Sequence, residues 1–97
     1  MSRLDIAIDA LVEIIRSYFG INLGPTPVRD IKNFIQDAMP GLDTQSEIRF
    51  CELFWAAARI AINRILESVG RTTLDEDGEP MNHLFLLWRY EFRTRMQ

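Results

Sequence analysis

The stretch FCELFWAAARIAINRIL, residues 50–66, decides the fold of this chain. Apolar side chains fall on nearly every side of a helix drawn through it, and the charged residues are only Glu52, Arg59 and Arg64. Three consecutive alanines, residues 56–58, favour the helix and let neighbouring backbones come close. A helix that is apolar nearly all round is normally central and buried. We therefore predict an all-α protein built around this helix.

Signals at both ends set the length of the central helix. Thr44 and Glu47 have the spacing of a capping box, in which two side chains satisfy each other's backbone N–H groups. Gly70 stands where a left-handed residue after the helix is favoured, so the helix is expected to continue to Val69. At 1.5 Å per residue it would be about 37 Å long.

A first helix is predicted before the central one, from Arg3 to Phe19. Ser2 and Asp5 resemble a capping box with aspartate in the place of glutamate. Gly20 follows the last apolar residue and can adopt the left-handed C-terminal conformation. Apolar side chains at positions 4, 8, 11, 15 and 19 recur at helical spacing and form one face.

Two more helices complete the prediction. The second is expected to have Thr26 as its N-cap and Pro27 as its first residue, and residues 39–41, Met-Pro-Gly, end it. The fourth is expected to open at Pro80 and to run to about Arg95. The main apolar face of the fourth helix comprises Met81, Leu84, Phe85, Trp88 and Phe92.

Length and composition agree with one small globular domain over residues 1–97, a compact bundle of about four helices. The 97 residues are 47% hydrophobic and 26% charged. A net charge of −3 opposes broad electrostatic binding to nucleic acid or to a membrane surface. No apolar run reaches the roughly 18 residues of a membrane span, and the N-terminus does not resemble a secretory signal. With a single cysteine, Cys51, a reducing and cytoplasmic location is expected.

The acidic segment 75–79 lies between the third and fourth helices and is the one motif that suggests a ligand. In a calcium-binding EF-hand loop, the sixth residue is glycine and the twelfth is a glutamate that binds the ion. With Gly78 sixth, the twelfth residue is Leu84; with Asp75 first, it is Leu86. Neither register supplies the glutamate, so we expect a solvated acidic turn and no metal site.

Catalytic groups are scarce in this sequence. His83 and Cys51 are the only histidine and the only cysteine, and a catalytic pair would require these two side chains to meet. The five glycines are scattered at turns, so no phosphate-binding loop is indicated. We expect no catalytic residue and no cofactor, and predict that the protein is not an enzyme.

Three segments resemble, in their chain order, the small dimeric S100 calcium-binding family. They are IDALVEIIRSYFG (8–20), VRDIKNFIQDAMPG (28–41) and LDEDGEP (74–80). The resemblance implies a helical dimer, without calcium binding because no calcium ligands carry over. The stretch 41–74 is longer and more apolar than that family's linker and third helix.

Aromatic residues crowd the third and fourth helices, beyond what four short helices can easily bury. Tryptophan, tyrosine and arginine are also the residue types enriched at binding hot spots. Trp88 and Tyr90 point about 200° apart on a helix, so one can fill the core while the other reaches a partner. The predicted interface residues are Trp55, Leu87, Trp88, Arg89, Tyr90, Phe92 and Arg93.

The function that we expect is a protein–protein interaction module that forms a homodimer or binds another protein. It would act as a small regulator, adaptor or inhibitor, of the kind that phages and mobile elements encode. Three alternatives stay open. They are a nucleic-acid-associated regulator that uses Arg89, Arg93 and Arg95, the calcium-independent S100-like dimer, and a divalent-ion sensor that uses the acidic segment.

Overall fold

Four α-helices and one short 3-10 helix make up the computed structural model, which describes all residues from 1 to 97 and contains no strand. Helix α1 covers Arg3–Phe19, α2 Pro25–Ala38, the 3-10 helix Leu42–Thr44, α3 Glu47–Ser68 and α4 Glu79–Met96. The predicted all-α fold is confirmed, and α3 is the longest helix with 22 residues.

Helix α1 has the ends that its sequence predicts. The Ser2 hydroxyl accepts a hydrogen bond from the backbone N–H of Asp5 at 3.1 Å. Gly20 takes a left-handed conformation with φ of 70°, and its N–H donates to the carbonyl oxygen of Arg16. Because these signals depend only on neighbouring residues, the sequence alone is sufficient to predict both ends of α1.

Helix α2 begins earlier than predicted, and the Thr26 cap is wrong. Gly24 is the N-cap, so Pro25 and Pro27 both lie in the first turn and Thr26 is helical. The first backbone N–H groups of a helix have no partner within it, so two prolines there remove no hydrogen bond. At the other end, Met39 caps α2 as expected.

The beginning of α3 also differs from the prediction. Ser46, not Thr44, caps the helix by accepting from the Arg49 N–H at 3.3 Å. The Thr44 hydroxyl instead donates to the Gly41 carbonyl at 2.8 Å, within the 3-10 turn. Gly41 has a φ of 77°, a left-handed conformation that reverses the chain before this turn. The predicted capping box therefore does not form.

Arg3 holds the 3-10 turn against the start of α1. Its guanidinium donates to the carbonyl oxygens of Leu42, Asp43 and Gln45 at 3.4, 3.0 and 2.9 Å. The same group lies 4.2 Å from the ring centroid of Phe50 on α3. These contacts span about forty positions of the chain, which explains why local signals misplaced the start of α3.

The other helix ends are close to the predictions. After α3, Gly70 is left-handed with φ of 73°. The Gly70 and Arg71 N–H groups donate to the carbonyls of Glu67 and Leu66, which is the Schellman arrangement. Helix α4 has Gly78 as its N-cap and places Pro80 at its second position.

The helices form a ring in which each packs against its two neighbours, and α4 returns onto α1. A single core of 23 buried residues draws on all four helices and on the 3-10 turn. The radius of gyration, 12.4 Å, matches the value of about 12.5 Å for a compact chain of this length. No helix combines the length and the apolarity that crossing a membrane requires.

An aromatic seam, formed by Phe50, Phe54, Trp88 and Phe92, joins α3 to α4. Phe54 and Trp88 stack with centroids 4.7 Å apart, and Phe50 meets Phe92 at 5.5 Å. Trp55 meets Phe85 at 5.4 Å further along, so α3 and α4 are antiparallel. Large buried rings contribute strongly to stability, so this seam anchors α4 and thereby sets the surface that α4 presents.

Candidate interaction surface

Three of the predicted interface residues belong to the core. Trp88 and Phe92 are 0% exposed and Trp55 is 7% exposed. The Trp88 indole N–H donates to the Ala7 carbonyl at 3.0 Å, because fully buried Ala7 and Ala10 bring the backbone of α1 close to α4. This placement corrects the sequence interpretation of these three residues: α1 covers the side of α4 that carries Trp88 and Phe92.

The other four predicted residues lie at the surface to different degrees. Tyr90 is 76% exposed and Arg93 is also exposed, whereas Leu87 and Arg89 are half-buried. Leu87 packs against the edge of the core. The structure therefore separates Trp88 from Tyr90, as their helical angles indicated.

Two exposed apolar residues of α3 and α4 were missed by the sequence analysis. Leu86 is 60% exposed and lies one turn before Tyr90 on α4, and Ile48 is 72% exposed at the start of α3. A signal for Leu86 was present, since residues four apart share one face of a helix. No such signal existed for Ile48, because apolar residues occur on nearly every side of α3 and the exposed side cannot be distinguished from the sequence.

A groove of about 320 Å³ runs between α3 and α4. Its floor is apolar and its two edges are charged. The residues that line this α3–α4 groove are Ile48, Cys51 and Glu52 from α3 and Phe85, Arg89 and Arg93 from α4. Leu86 and Tyr90 do not line the groove; each lies three residues from an arginine of its α4 edge, and Leu86 lines a neighbouring depression with Tyr18 and His83. We call the groove together with Leu86 and Tyr90 the α3–α4 face.

The two edges of the groove have opposite charge. Glu47 and Glu52 lie along the α3 edge, and Arg89 and Arg93 along the α4 edge. Arg93 is 3.9 Å from Glu47, an exposed pair. Neither Glu52 nor Arg89 has an ion-pair partner within 4.0 Å. One acid and one base on facing edges are therefore free to pair with another molecule.

Cys51 lies at the floor of the groove and is a poor candidate for a nucleophile. Burial raises the pKa of its thiol, Glu47 raises it further, and Arg89 and Arg93 lower it by less. The thiol is therefore protonated at neutral pH, whereas the thiolate is the reactive form. His83 lies beside Tyr18 of α1, with ring centroids 6.5 Å apart, and lines a different depression from Cys51.

The acidic segment is folded back onto α3. Arg59 pairs with Asp77 at 2.9 Å and approaches Glu76 at 3.9 Å. Asn63, a buried polar residue that the sequence analysis did not single out, binds both backbone groups of Leu74, donating at 2.8 Å and accepting at 2.9 Å. The segment is therefore held by α3, and no three His, Cys, Asp or Glu side chains converge as metal ligands.

The three arginines of the nucleic-acid alternative do not share one face. Arg89 and Arg93 are one turn apart, but Arg95 is about 200° from Arg93 on the helix. Arg95 also pairs with Glu91 at 3.0 Å, as Arg93 does with Glu47 at 3.9 Å. A continuous basic stripe for a phosphate backbone is therefore not formed.

Known proteins do not assign this surface to a family. Comparisons with protein-family models, with curated protein sequences and with solved structures gave no match. The similarity to the S100 family rests on three short segments alone. We therefore base the proposed function on the residues of the α3–α4 face.

Proposed function

We propose that this protein is a non-enzymatic interaction module that forms a homodimer through its α3–α4 face. The observation that supports the proposal is the exposure of Ile48, at 72%, in the α3–α4 groove, and of Leu86 and Tyr90, at 60% and 76%, beyond its α4 edge. Contiguous apolar patches on a protein surface usually mark an interaction site. A two-fold symmetric dimer is the commonest way to cover such a patch.

The composition of the face suits a protein interface. Tyrosine supplies a large contact area with little loss of side-chain entropy, and arginine is enriched among the residues that contribute most to binding. Arg89 and Arg93 border the groove, whereas Tyr90 stands out from it. An apolar centre with a charged rim is the usual anatomy of a stable interface.

The biological role that we propose is a small cytoplasmic regulator, adaptor or inhibitor. The apolar groove with charged edges supports it, because such a surface suits the binding of another protein. The single cysteine also suits a reducing compartment.

Sedimentation equilibrium tests the homodimer directly. We expect the wild-type chain to dimerise at concentrations on the order of 10 µM, typical of a modest apolar interface. Leu86→Asp and Tyr90→Asp should each dissociate the dimer without lowering the melting temperature of the monomer, because both side chains are exposed.

Val69→Asp is the matched control. Val69 is 50% exposed, at the end of α3 remote from the groove, so the same gain of charge there should leave the dimer intact. A wild-type chain that stays monomeric at several hundred micromolar, roughly the range of weak complexes, would exclude the homodimer and leave a different protein as the partner.

A further inference from the structure

We infer that the second copy docks with its two-fold axis parallel to the α3–α4 groove, so that α3 of each copy faces α4 of the other. In this arrangement Glu52 pairs with Arg89 of the partner subunit, and the reciprocal pair forms by symmetry. The inference rests on the proposed homodimer and specifies its geometry.

The opposite charges of the two edges are the first argument. Glu52 and Arg89 face each other across the groove without forming an ion pair within the chain. A surface that carries an acid on one edge and a base on the other is complementary to itself when the edges exchange places. Rotation about an axis along the groove makes this exchange, since it moves α3 of one copy above α4 of the other.

The level of the two residues along the helices is the second argument. In the antiparallel α3–α4 pair, Phe50 is opposite Phe92 and Trp55 is opposite Phe85. Glu52 lies between the two α3 positions, and Arg89 lies between the two α4 positions. Glu52 and Arg89 therefore lie at the same level along the helix axes. A two-fold rotation about the groove axis keeps this level, so it places Glu52 of one copy over Arg89 of the other.

The competing arrangement has its axis across the groove. It would place α3 on α3 and α4 on α4 and, with the axis at the level of these charges, Glu52 near Glu52 of the partner subunit and Arg89 near Arg89 of the partner subunit. Facing like charges oppose association, and complementary charges chiefly set orientation. The apolar residues Ile48, Leu86 and Tyr90 supply contact area in either case, so the charges decide between the two.

Charge reversal distinguishes these arrangements. With α3 facing α4, Glu52→Arg or Arg89→Glu alone introduces two like-charge contacts per dimer, so each should weaken dimerisation about tenfold. The double variant Glu52→Arg/Arg89→Glu restores both pairs and should return the dissociation constant to within about threefold of wild type. Glu67→Arg makes the same change in net charge as Glu52→Arg, at the far end of α3, and should have no comparable effect.

Analytical ultracentrifugation at two salt concentrations measures the effect, with circular dichroism to confirm that each variant is folded. Rising salt should weaken the wild-type dimer, because it screens attractive pairs. A wild-type dimer that salt strengthens, or that Glu52→Arg leaves unchanged, would overturn the inferred geometry while the homodimer stands. A wild-type chain without any dimer would instead remove the proposed function on which the inference rests.

Discussion

Trp88 and Tyr90 are two residues apart on α4, yet their surroundings are opposite. Trp88 is 0% exposed, stacks on Phe54 and Phe92, and hydrogen-bonds to the backbone of α1. Tyr90 is 76% exposed and its ring contacts no other aromatic side chain. Both are residue types that favour binding sites, so residue type alone did not separate them. Because α1 packs over Trp88 and not over Tyr90, Trp88 belongs to the core and Tyr90 remains exposed.

The largest difference between the Trp88 side and the Tyr90 side of α4 should appear in the free energy of unfolding. Trp88→Ala leaves a large cavity in the aromatic seam and should lower the free energy of unfolding by about 3–5 kcal/mol. Tyr90→Ala should change it by less than about 0.5 kcal/mol. Urea denaturation, at protein concentrations low enough to exclude a dimer, measures both. Similar losses for the two variants would show that the outer side of α4 also supports the fold.

Asn63 extends the comparison of buried with exposed residues, because it is a polar residue that is buried. Asn63→Ala leaves the backbone N–H and carbonyl of Leu74 without their partners and should cost about 1–3 kcal/mol. Hydrogen exchange at the Leu74 amide should accelerate. Asn33→Ala, on the exposed side of α2, is the matched control and should leave that amide unchanged. Equal exchange rates in wild type and Asn63→Ala would mean that other contacts hold the loop.

Cys51 stands at the boundary between the core and the groove. Since burial raises the pKa of its thiol, the native protein should react with iodoacetamide at pH 7.5 at least about tenfold more slowly than the urea-unfolded chain. If the dimer covers the groove, the reaction should slow further as protein concentration rises. A native thiol that reacts as fast as the unfolded one would place Cys51 outside the protected region.

The smallest effect is expected at Asp5, on the outside of α1. The hydrogen bond from Lys32, at 2.6 Å, and the bond from the Ser2 hydroxyl lower the pKa of this carboxyl. Because the folded pKa lies below the unfolded value, the stabilisation is present above the unfolded pKa and is lost as pH falls through the folded one.

Wild type should therefore be slightly more stable than Asp5→Asn at pH 7, and the two melting temperatures should converge below about pH 3. Thermal denaturation from pH 7 to pH 2.5 checks this. A difference that persists at the acid end would mean that the substitution acts through the helix cap and not through the charge.

Most local signals in the sequence predicted the helix ends correctly, with the Thr26 cap as an exception, whereas contacts between distant residues could not be predicted. The ends of α1 depend on Ser2, Asp5 and Gly20, which are neighbours in the chain, and these predictions were correct. The start of α3 was misplaced because Arg3 gathers the carbonyls of the 3-10 turn from the other end of the sequence.

The interaction surface was predicted less completely than the fold. Helical angles separated Trp88 from Tyr90 and place Leu86 on the side of Tyr90, but they could not show that α1 would cover Trp88. Ile48 was hidden among the apolar residues of α3, and the free charges of Glu52 and Arg89 became apparent only when the two helices were brought together.

The first part of the loop before α4 is fixed at two points with a short unanchored piece between them. Arg71 is held through its side chain, which donates to the Phe19 carbonyl at 2.6 Å, and Leu74 is held by Asn63. The two threonines between them, residues 72 and 73, are exposed and make no hydrogen bond within the chain. This spot is therefore suited to the insertion of a peptide tag or a fluorophore-bearing segment. The added residues would extend into solvent at the opposite end of α3 from Ile48, so such a label would report on dimer formation without standing between the two copies.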